Sequence, residues 1–198
     1  IIEFFGTPSE KIQVVYQSCA TVFQNRSEST QNPDVSKYNL PVDYLLYVGT
    51  VEKRKNLLNV IKAVHKMPNE NLVVVGNGKE YMKLCRDYVL DHGLGTRMMF
   101  HSNVPTDDLA EFYHGAKTFL YPSTFEGFGI PIIEALFCKT PVITSRGGCF
   151  SESGGPSSIY IDPQNPDEII DAVERINSDT ELRTKMISDG LLHAQKFT

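Results

Sequence analysis

The feature that most constrains the fold is a series of six short apolar runs, separated by segments whose apolar residues recur at helical spacing. The runs lack the alternation of apolar and polar residues, which is typical of strands buried on both faces of a parallel sheet. They occupy residues 44–48, 72–75, 97–100, 118–121, 141–144 and 158–161. This order predicts an α/β fold, a doubly wound, mainly parallel six-stranded Rossmann-like sheet with helices on both faces.

The helical segments lie between these runs and after the last one, over residues 57–64, 81–89, 109–113, 132–137, 169–176 and 182–191. Thr106-Asp107-Asp108 and Pro166-Asp167-Glu168 are typical helix starts. Doubly wound sheets bind ligands beyond the carboxyl ends of their strands, so the residues that directly follow each run are the first candidates for a site.

The first 39 residues do not follow this pattern. An alternating run at Ile12 and Val14 predicts a short strand, and a polar stretch up to Asp43 is typical of a linker. The chain begins at Ile1 without an initiator Met, which indicates a piece of a longer protein. We therefore predict the end of a preceding domain and a linker over 1–39, and one further domain over 40–198.

Charge and cysteine content exclude several classes of function. The net charge of −5 and the isoelectric point near 5.5 argue against nucleic acid or an anionic membrane surface as the main partner. No apolar run reaches the roughly 18 residues of a membrane span. The four cysteines are scattered without CxxC spacing, which favours reduced cysteines in a cytoplasmic protein over a disulfide framework or a metal site.

The strongest candidate motif for chemistry is the stretch from Ser123 to Leu136, between a predicted strand and a predicted helix. Its two glycines, at 127 and 129, allow a ligand to approach the backbone closely, and Pro131 suits the first turn of a helix. The free N–H groups of that turn would face a phosphate. Glu126 could bind sugar hydroxyls and Glu134 a ribose. The alternative is that both carboxylates are solvated and the glycines only make a tight turn.

This stretch resembles the E-x7-E motif of the retaining glycosyltransferases with the GT-B fold, particularly family 4. The similarity extends from about Leu40 to the C-terminus, and further motifs resemble the family in the same order. They are the phosphate loop at 47–57, the V-G-x-G segment at 73–78, the strand at 119–123 and the closing strands at 141–145 and 161–163. The resemblance implies the C-terminal, nucleotide-sugar-binding half of a GT-B fold, with 1–39 left from the acceptor domain and the linker.

The resemblance also implies roles for individual residues. Lys55 and Arg54 would bind the donor diphosphate, and Glu126 would contact the transferred sugar. The family often has Arg where this chain has Thr50, so a clamp of two cations depends on Arg54. The other implied donor-binding residues are Gly49, Gly76, Asn77, Val104, Gly127, Phe128, Gly129, Ile130, Pro131 and, for ribose, Glu134.

Aromatic residues at the strand ends are interpreted mostly as core, namely Phe119, Tyr121, Phe125 and Phe128. Of these, Phe128 between its two glycines is the one that could shape a sugar pocket. The loop containing Glu152 resembles the Glu-x-x-Gly loop of the family. Glu152 could equally be a structural cap or a ligand contact.

The function implied is retaining transfer of a hexose from a nucleotide sugar to a glycan or lipid-linked acceptor, in polysaccharide biosynthesis. GDP-mannose is favoured over UDP-linked donors, on the resemblance of residues 52–57 to mannose-transferring members. No Asp-x-Asp occurs, and in this family fixed cations and a helix dipole replace Mg²⁺, so we expect no metal or cofactor. We expect a cytoplasmic protein, with peripheral membrane contact only through the other domain, and a fragment that binds donor without turnover.

Two alternatives stay open at this point. A sugar-nucleotide epimerase of GT-B type, or a non-catalytic nucleotide-binding domain, would share this layout. A receiver-like or Rossmann interaction domain belongs to another class. The cations at 53–55 argue against it, because receivers carry an acidic cluster after the first strand. A dehydrogenase would need G-x-G-x-x-G there, where Gly49 stands alone.

Overall fold

The computed structural model describes residues 1–24 and 35–198 and contains one six-stranded sheet. Its strand order is β3-β2-β1-β4-β5-β6, and every neighbouring pair is parallel. The strands are β1 Leu45–Val48, β2 Leu72–Val75, β3 Met98–His101, β4 Thr118–Tyr121, β5 Val142–Ser145 and β6 Ile159–Ile161. The predicted fold class is confirmed.

The helices alternate with the strands as the apolar spacing predicts. The long ones are α3 Leu57–Lys66, α4 Glu80–Asp91, α5 Thr106–Gly115, α6 Ile130–Phe137, α8 Pro166–Ser178 and α9 Thr180–Ala194. The short ones are α1 Ile2–Phe5, α2 Thr21–Gln24 and α7 Phe150–Gly154. Among the described residues, no helix is both long and apolar enough to cross a membrane.

The strands β1, β2, β4 and β5 each contribute to two hydrophobic cores, one on each face of the sheet. In β1, Leu45 and Tyr47 enter the core beneath α3, α4 and α8, whereas Leu46 and Val48 enter the core beneath α5 and α6. Side chains along a strand alternate between faces, so a strand covered on both sides must be apolar throughout. This explains why the runs in the sequence are continuous.

The expected strand at Ile12 and Val14 is wrong. Residues 12–20 have no regular secondary structure, and Val14 is 68% exposed. A strand requires a neighbour for its backbone hydrogen bonds, and no strand in the described part of the chain pairs with this segment. The assignment of 1–39 to another domain and a linker stays a prediction, and part of it, at 25–34, lies outside the described residues. Phe23, in the described part of 1–39, is 2% exposed and packs edge-on against Tyr113.

The strand order places a switch point between β1 and β4. The chain continues from β1 into α3 on one face of the sheet and from β4 into α6 on the other. Because the two connections diverge, they leave a crevice beyond the carboxyl ends of β1 and β4, where ligands bind in open α/β sheets. The residues at 49–56 and 122–130 are therefore placed around one crevice.

Candidate functional site

The ends of β1 and β2 are held unusually close by two glycines. The N–H of Gly49 donates to Val75 O at 2.9 Å, and the N–H of Gly76 donates to His101 O at 2.9 Å. A Cβ on Gly76 would lie 2.0 Å from the carbonyl oxygen of Gly49, and a Cβ on Gly49 would lie 3.4 Å from Lys55 Nζ. A side chain at Gly76 would separate the strand ends, whereas one at Gly49 would contact Lys55 and strain a backbone whose φ is 141°.

We expect Gly76→Ala to lower the free energy of unfolding by about 3 kcal/mol, because its methyl group overlaps the backbone oxygen of Gly49. Chemical denaturation measures this change. Gly95→Ala is the matched control, since a Cβ there has nothing within 4 Å, and we expect a change within about 0.5 kcal/mol. Equal stability of the two variants would contradict the close packing at Gly76.

The cations after β1 lie in a 3₁₀ turn, Lys53–Lys55, that ends at Asn56 in the left-handed conformation with φ 62°. This turn directs Lys55 inward, where the residue is only 8% exposed. Its Nζ donates to Tyr121 Oη at 2.8 Å, lies 3.0 Å from Glu126 Oε1, and stands 4.8 Å from the centroid of the Tyr121 ring. Burial of a lysine charge requires such partners.

A second cation reaches the same carboxylate. Arg54 donates from NH1 to Glu126 Oε1 at 2.8 Å and to Phe125 O at 3.0 Å. Burial alone would raise the pKa of Glu126, but the hydrogen bond and charge of Lys55, supported by Ser123 and Arg54, hold it below its ordinary value. Glu126 is therefore an anion at neutral pH, and two cations share it.

The glycine loop after Glu126 leads directly into α6. Gly129 adopts φ 97°, a left-handed conformation that favours glycine, and α6 begins at Ile130 with Pro131 in its first turn. The first N–H groups of a helix have no partner within the helix, and the helix dipole adds positive potential there. The loop and the helix start therefore have a geometry suited to an anion, and the phosphate contact stays a prediction.

A cavity of about 690 Å³ lies between the cations and the glycine loop. That volume falls in the range of small-molecule sites, roughly 300–1,000 Å³. The cavity is lined by seven of the residues predicted from the sequence, namely Lys55, Glu126, Gly127, Phe128, Gly129, Ile130 and Pro131. Arg54 is outside that lining but paired with Glu126, and Gly49 packs against Lys55.

The other predicted residues lie outside the lining of this cavity. Glu134 accepts a hydrogen bond at Oε2 from Tyr113 Oη at 2.9 Å, and burial raises the pKa of Glu134, opposed by that bond. Asn77 donates to Asn103 Oδ1 at 3.0 Å and lines a neighbouring cavity with Thr50. Val104 packs, half-buried, against the core. Their roles as donor contacts stay predictions.

Six further residues line the cavity although they were not predicted as donor contacts, namely Val14, Val15, Tyr16, Gln17, Tyr121 and Glu152. Tyr121, interpreted as core, is 1% exposed, yet its hydroxyl accepts the hydrogen bond from Lys55. Tyr16 lines the cavity from a segment that precedes the sheet, and nothing in the sequence connects it to the glycine loop. Glu152 lines the cavity too, which favours the ligand-contact interpretation. Phe125, also interpreted as core, is 73% exposed, so that interpretation is wrong.

Comparisons with known proteins identify a sequence family for this chain. Residues 28–192 match the sequence family described as Glycosyl transferases group 1. The O-antigen chain mannosyltransferase B of Escherichia coli is 32% identical over 204 residues, which cover 100% of this chain and 54% of that protein. The O-antigen chain mannosyltransferase RfbU of Salmonella typhimurium is 30% identical over 189 residues, which cover 90% of this chain and 50% of that protein.

Among solved structures, Anabaena Alr3699/HepE in complex with UDP and glucose matches with a TM-score of 0.80 at 22% identity. The match covers 96% of this chain and 54% of that one. At this identity the likeness is one of fold. The chain spans about half the length of the curated relatives it matches.

Proposed function

Because the chain belongs to the Glycosyl transferases group 1 family, we propose that its described residues bind the nucleotide-sugar donor of a retaining hexosyl transfer. The observation that carries this proposal is the convergence of Lys55 and the start of α6 on one cavity at the switch point of the sheet, lined by Glu126, whose carboxylate Arg54 also pairs with from outside the lining. Such a site suits a group that is anionic at one end and rich in hydroxyls at the other.

The chemistry of glycosyl transfer explains the charges. The bond between the anomeric carbon and the diphosphate oxygen breaks, and its electrons remain on the diphosphate. Lys55, Arg54 and the N-terminus of α6 stabilise that developing negative charge, because they are already in place when the charge develops. The anomeric carbon then bonds to an acceptor oxygen, whose proton passes to the departing diphosphate. Glu126 contacts the hydroxyls of the sugar that moves.

The nucleotide extends from the diphosphate along the ends of the strands. In this proposal Glu134 binds the ribose hydroxyls, and Gly49 and Gly76 allow the nucleotide to approach the backbone. Asn77 and Val104 flank it, in the loops that follow β2 and β3. This chain binds the donor. None of the described residues is proposed to bind the acceptor, a glycan or a lipid-linked sugar.

We propose mannose as the transferred sugar and GDP-mannose as the donor. Support comes from the two relatives, both described as O-antigen chain mannosyltransferases. The HepE structure holds UDP and glucose, which makes a UDP-linked hexose the competing donor. We also propose action on the cytoplasmic side in polysaccharide biosynthesis, with no metal required.

A thermal-shift panel tests this proposal. It compares GDP, UDP and ADP with GDP-mannose, UDP-glucose and ADP-glucose, each with and without EDTA. A ligand at 100 times its dissociation constant adds about 2.7 kcal/mol of stability, and we expect the largest shift from GDP-mannose, unchanged by EDTA. If no nucleotide raises the melting temperature, donor binding by this chain is refuted.

The products formed by the full-length protein separate the transferase from the epimerase of the same architecture. Proton NMR of the linkage formed with an acceptor should show the anomeric configuration of the donor retained. Formation of an isomeric sugar, with no acceptor consumed, would support the epimerase.

A pH-dependent prediction concerns the partner of Glu134. Burial raises the pKa of Glu134, and the hydrogen bond from Tyr113 partly offsets this rise. Removing that hydrogen bond in Tyr113→Phe should therefore raise the pKa of Glu134 further. A ribose-binding carboxylate must be ionised to accept both hydroxyl hydrogens. We therefore expect the acid limb of donor affinity to move to higher pH in Tyr113→Phe, with affinity retained above the limb. Calorimetric titration at several pH values measures this.

The matched control is Tyr44→Phe. Tyr44 is also buried, but its hydroxyl donates to the carbonyl oxygen of Phe112 at 2.7 Å and not to Glu134. Both variants lose a buried hydrogen bond of about 1 kcal/mol, so both should be less stable. Only Tyr113→Phe should move the acid limb, and an equal movement in both would sink the role of Tyr113 at Glu134.

A further inference from the structure

Three aromatic rings from distant parts of the chain meet at the glycine loop. Tyr16 stacks on Phe128, with ring centroids 5.8 Å apart and an interplanar angle of 19°. Phe197 meets both rings edge-on, at 5.3 Å from Tyr16 and 5.5 Å from Phe128. We call these three residues the aromatic cluster. The two ends of the described chain thus pack against the loop that follows Glu126.

The cluster also borders the cavity. Tyr16 and Phe128 line it together with Lys55, Glu126 and Glu152. Phe197 is buried, at 3% exposed, whereas Tyr16 keeps 45% of its surface exposed. The ring of Tyr16 is therefore fixed by the other two rings and still presents apolar surface at the site.

The position of Tyr16 corresponds to the sugar end of the proposed donor. It shares a cavity lining with Glu126 and the glycine loop, whereas Glu134, Asn77 and Val104, the proposed nucleotide contacts, are outside that lining. A hexose has hydroxyls around its edge and C–H groups on its faces. Glu126 supplies an acceptor for the hydroxyls, and an aromatic ring supplies an apolar surface for a C–H face.

We propose that Tyr16 is a specificity-determining residue that forms the apolar wall against which the transferred sugar packs. This inference rests on the proposed function and deepens it, because it names a contact for the sugar alone. Phe128 supports the ring from the loop, and Phe197 supports it from the C-terminal turn Gln195–Phe197. The carboxylate of Glu152, which lines the same cavity, raises the pKa of the Tyr16 hydroxyl.

The test compares each nucleoside diphosphate with its sugar conjugate, so that the two ligands of a pair differ only in the sugar. Calorimetric titration measures the affinities of the wild type and of Tyr16→Ala for GDP and GDP-mannose, and for UDP and UDP-glucose. We expect Tyr16→Ala to leave the affinity for the nucleoside diphosphate unchanged within about twofold and to weaken binding of the sugar conjugate about tenfold. Tyr16→Phe keeps the ring and should bind both ligands as the wild type does.

Two further variants separate a wall from a folding role. Phe4→Ala removes an aromatic ring that is 84% exposed and outside the cavity lining, and should change neither affinity. Tyr16→Leu fills the space between Phe128 and Phe197 but lacks the flat ring face, so it serves if the alanine variant fails to fold, with the same selective loss of sugar affinity expected. Equal weakening for both ligands, or no weakening for either, overturns the inference. A wild-type chain that binds neither nucleoside diphosphate overturns the proposed function and this inference with it.

Discussion

Replacing Lys55 with alanine should weaken binding of nucleoside diphosphates by roughly 100-fold, which corresponds to about 3 kcal/mol. Lys55 is 8% exposed and lines the cavity beside Glu126, so its charge is poorly screened by water. Arg54 remains in the variant, but it is placed outside the lining. The loss should be similar for GDP and GDP-mannose, because the lysine serves the diphosphate that both share.

Lys53→Ala is the matched control for this experiment. Lys53 belongs to the same 3₁₀ turn and carries the same charge, but it is exposed and does not line the cavity of Lys55. We expect the affinity of Lys53→Ala for nucleoside diphosphates to differ from that of the wild type by less than about twofold, since the charge of an exposed lysine is largely screened. If both variants bind equally well, or weaken equally, the diphosphate contact of Lys55 is refuted in favour of general electrostatic attraction.

Lys55→Ala should remain folded, which makes the binding result interpretable. Glu126 keeps Arg54 at 2.8 Å after the lysine is removed, so the carboxylate is not left without a cation. Tyr121 loses the donor to its hydroxyl, and that hydroxyl lies beside the cavity where water can replace the amine. Circular dichroism and the denaturation midpoint check this expectation.

The strands could be predicted from the sequence because burial on two faces leaves an unmistakable pattern. The run at 72–75 is β2 without correction, and the run at 97–100 differs from β3 by one residue at each end. The helical spacing of apolar residues likewise predicted α5 and α8, and both helices carry acidic residues in their first turn. These signals are local, and each requires only the next few residues of the chain.

The contacts of the site could not be predicted in the same way, because they join distant segments. Arg54 and Glu126 are 72 residues apart in sequence, and no spacing rule pairs them. Tyr16 is further still from Phe128 in sequence, so the contact between their rings could not be predicted and is found only in the folded chain. Conversely, alternation at Ile12 and Val14 resembled a strand, but local alternation cannot supply the neighbouring strand that would pair with it.

The second large effect is expected for Glu126→Gln, which should separate donor binding from sugar transfer. In the full-length protein we expect the rate of transfer to fall by roughly 100- to 1,000-fold, as when a group that stabilises the transition state is removed. The affinity of this chain for nucleoside diphosphates should rise instead. The Glu126 carboxylate neutralises Lys55 and Arg54 in the ligand-free site, and an amide leaves both charges available to phosphate.

Glu52→Gln is the control, because Glu52 also pairs with Arg54, at 3.1 Å, but on an exposed side chain. It should change neither transfer nor affinity by more than about twofold.

Acid stability gives an independent readout for Glu126. Its pKa is lowered in the folded state, so its ionisation stabilises the fold above its unfolded pKa, and that contribution is lost as the pH falls through the folded value. The variant lacks this dependence, so the stability difference from wild type should narrow below about pH 4. Weaker diphosphate binding in Glu126→Gln, with transfer intact, would refute the assignment of Glu126 to the sugar.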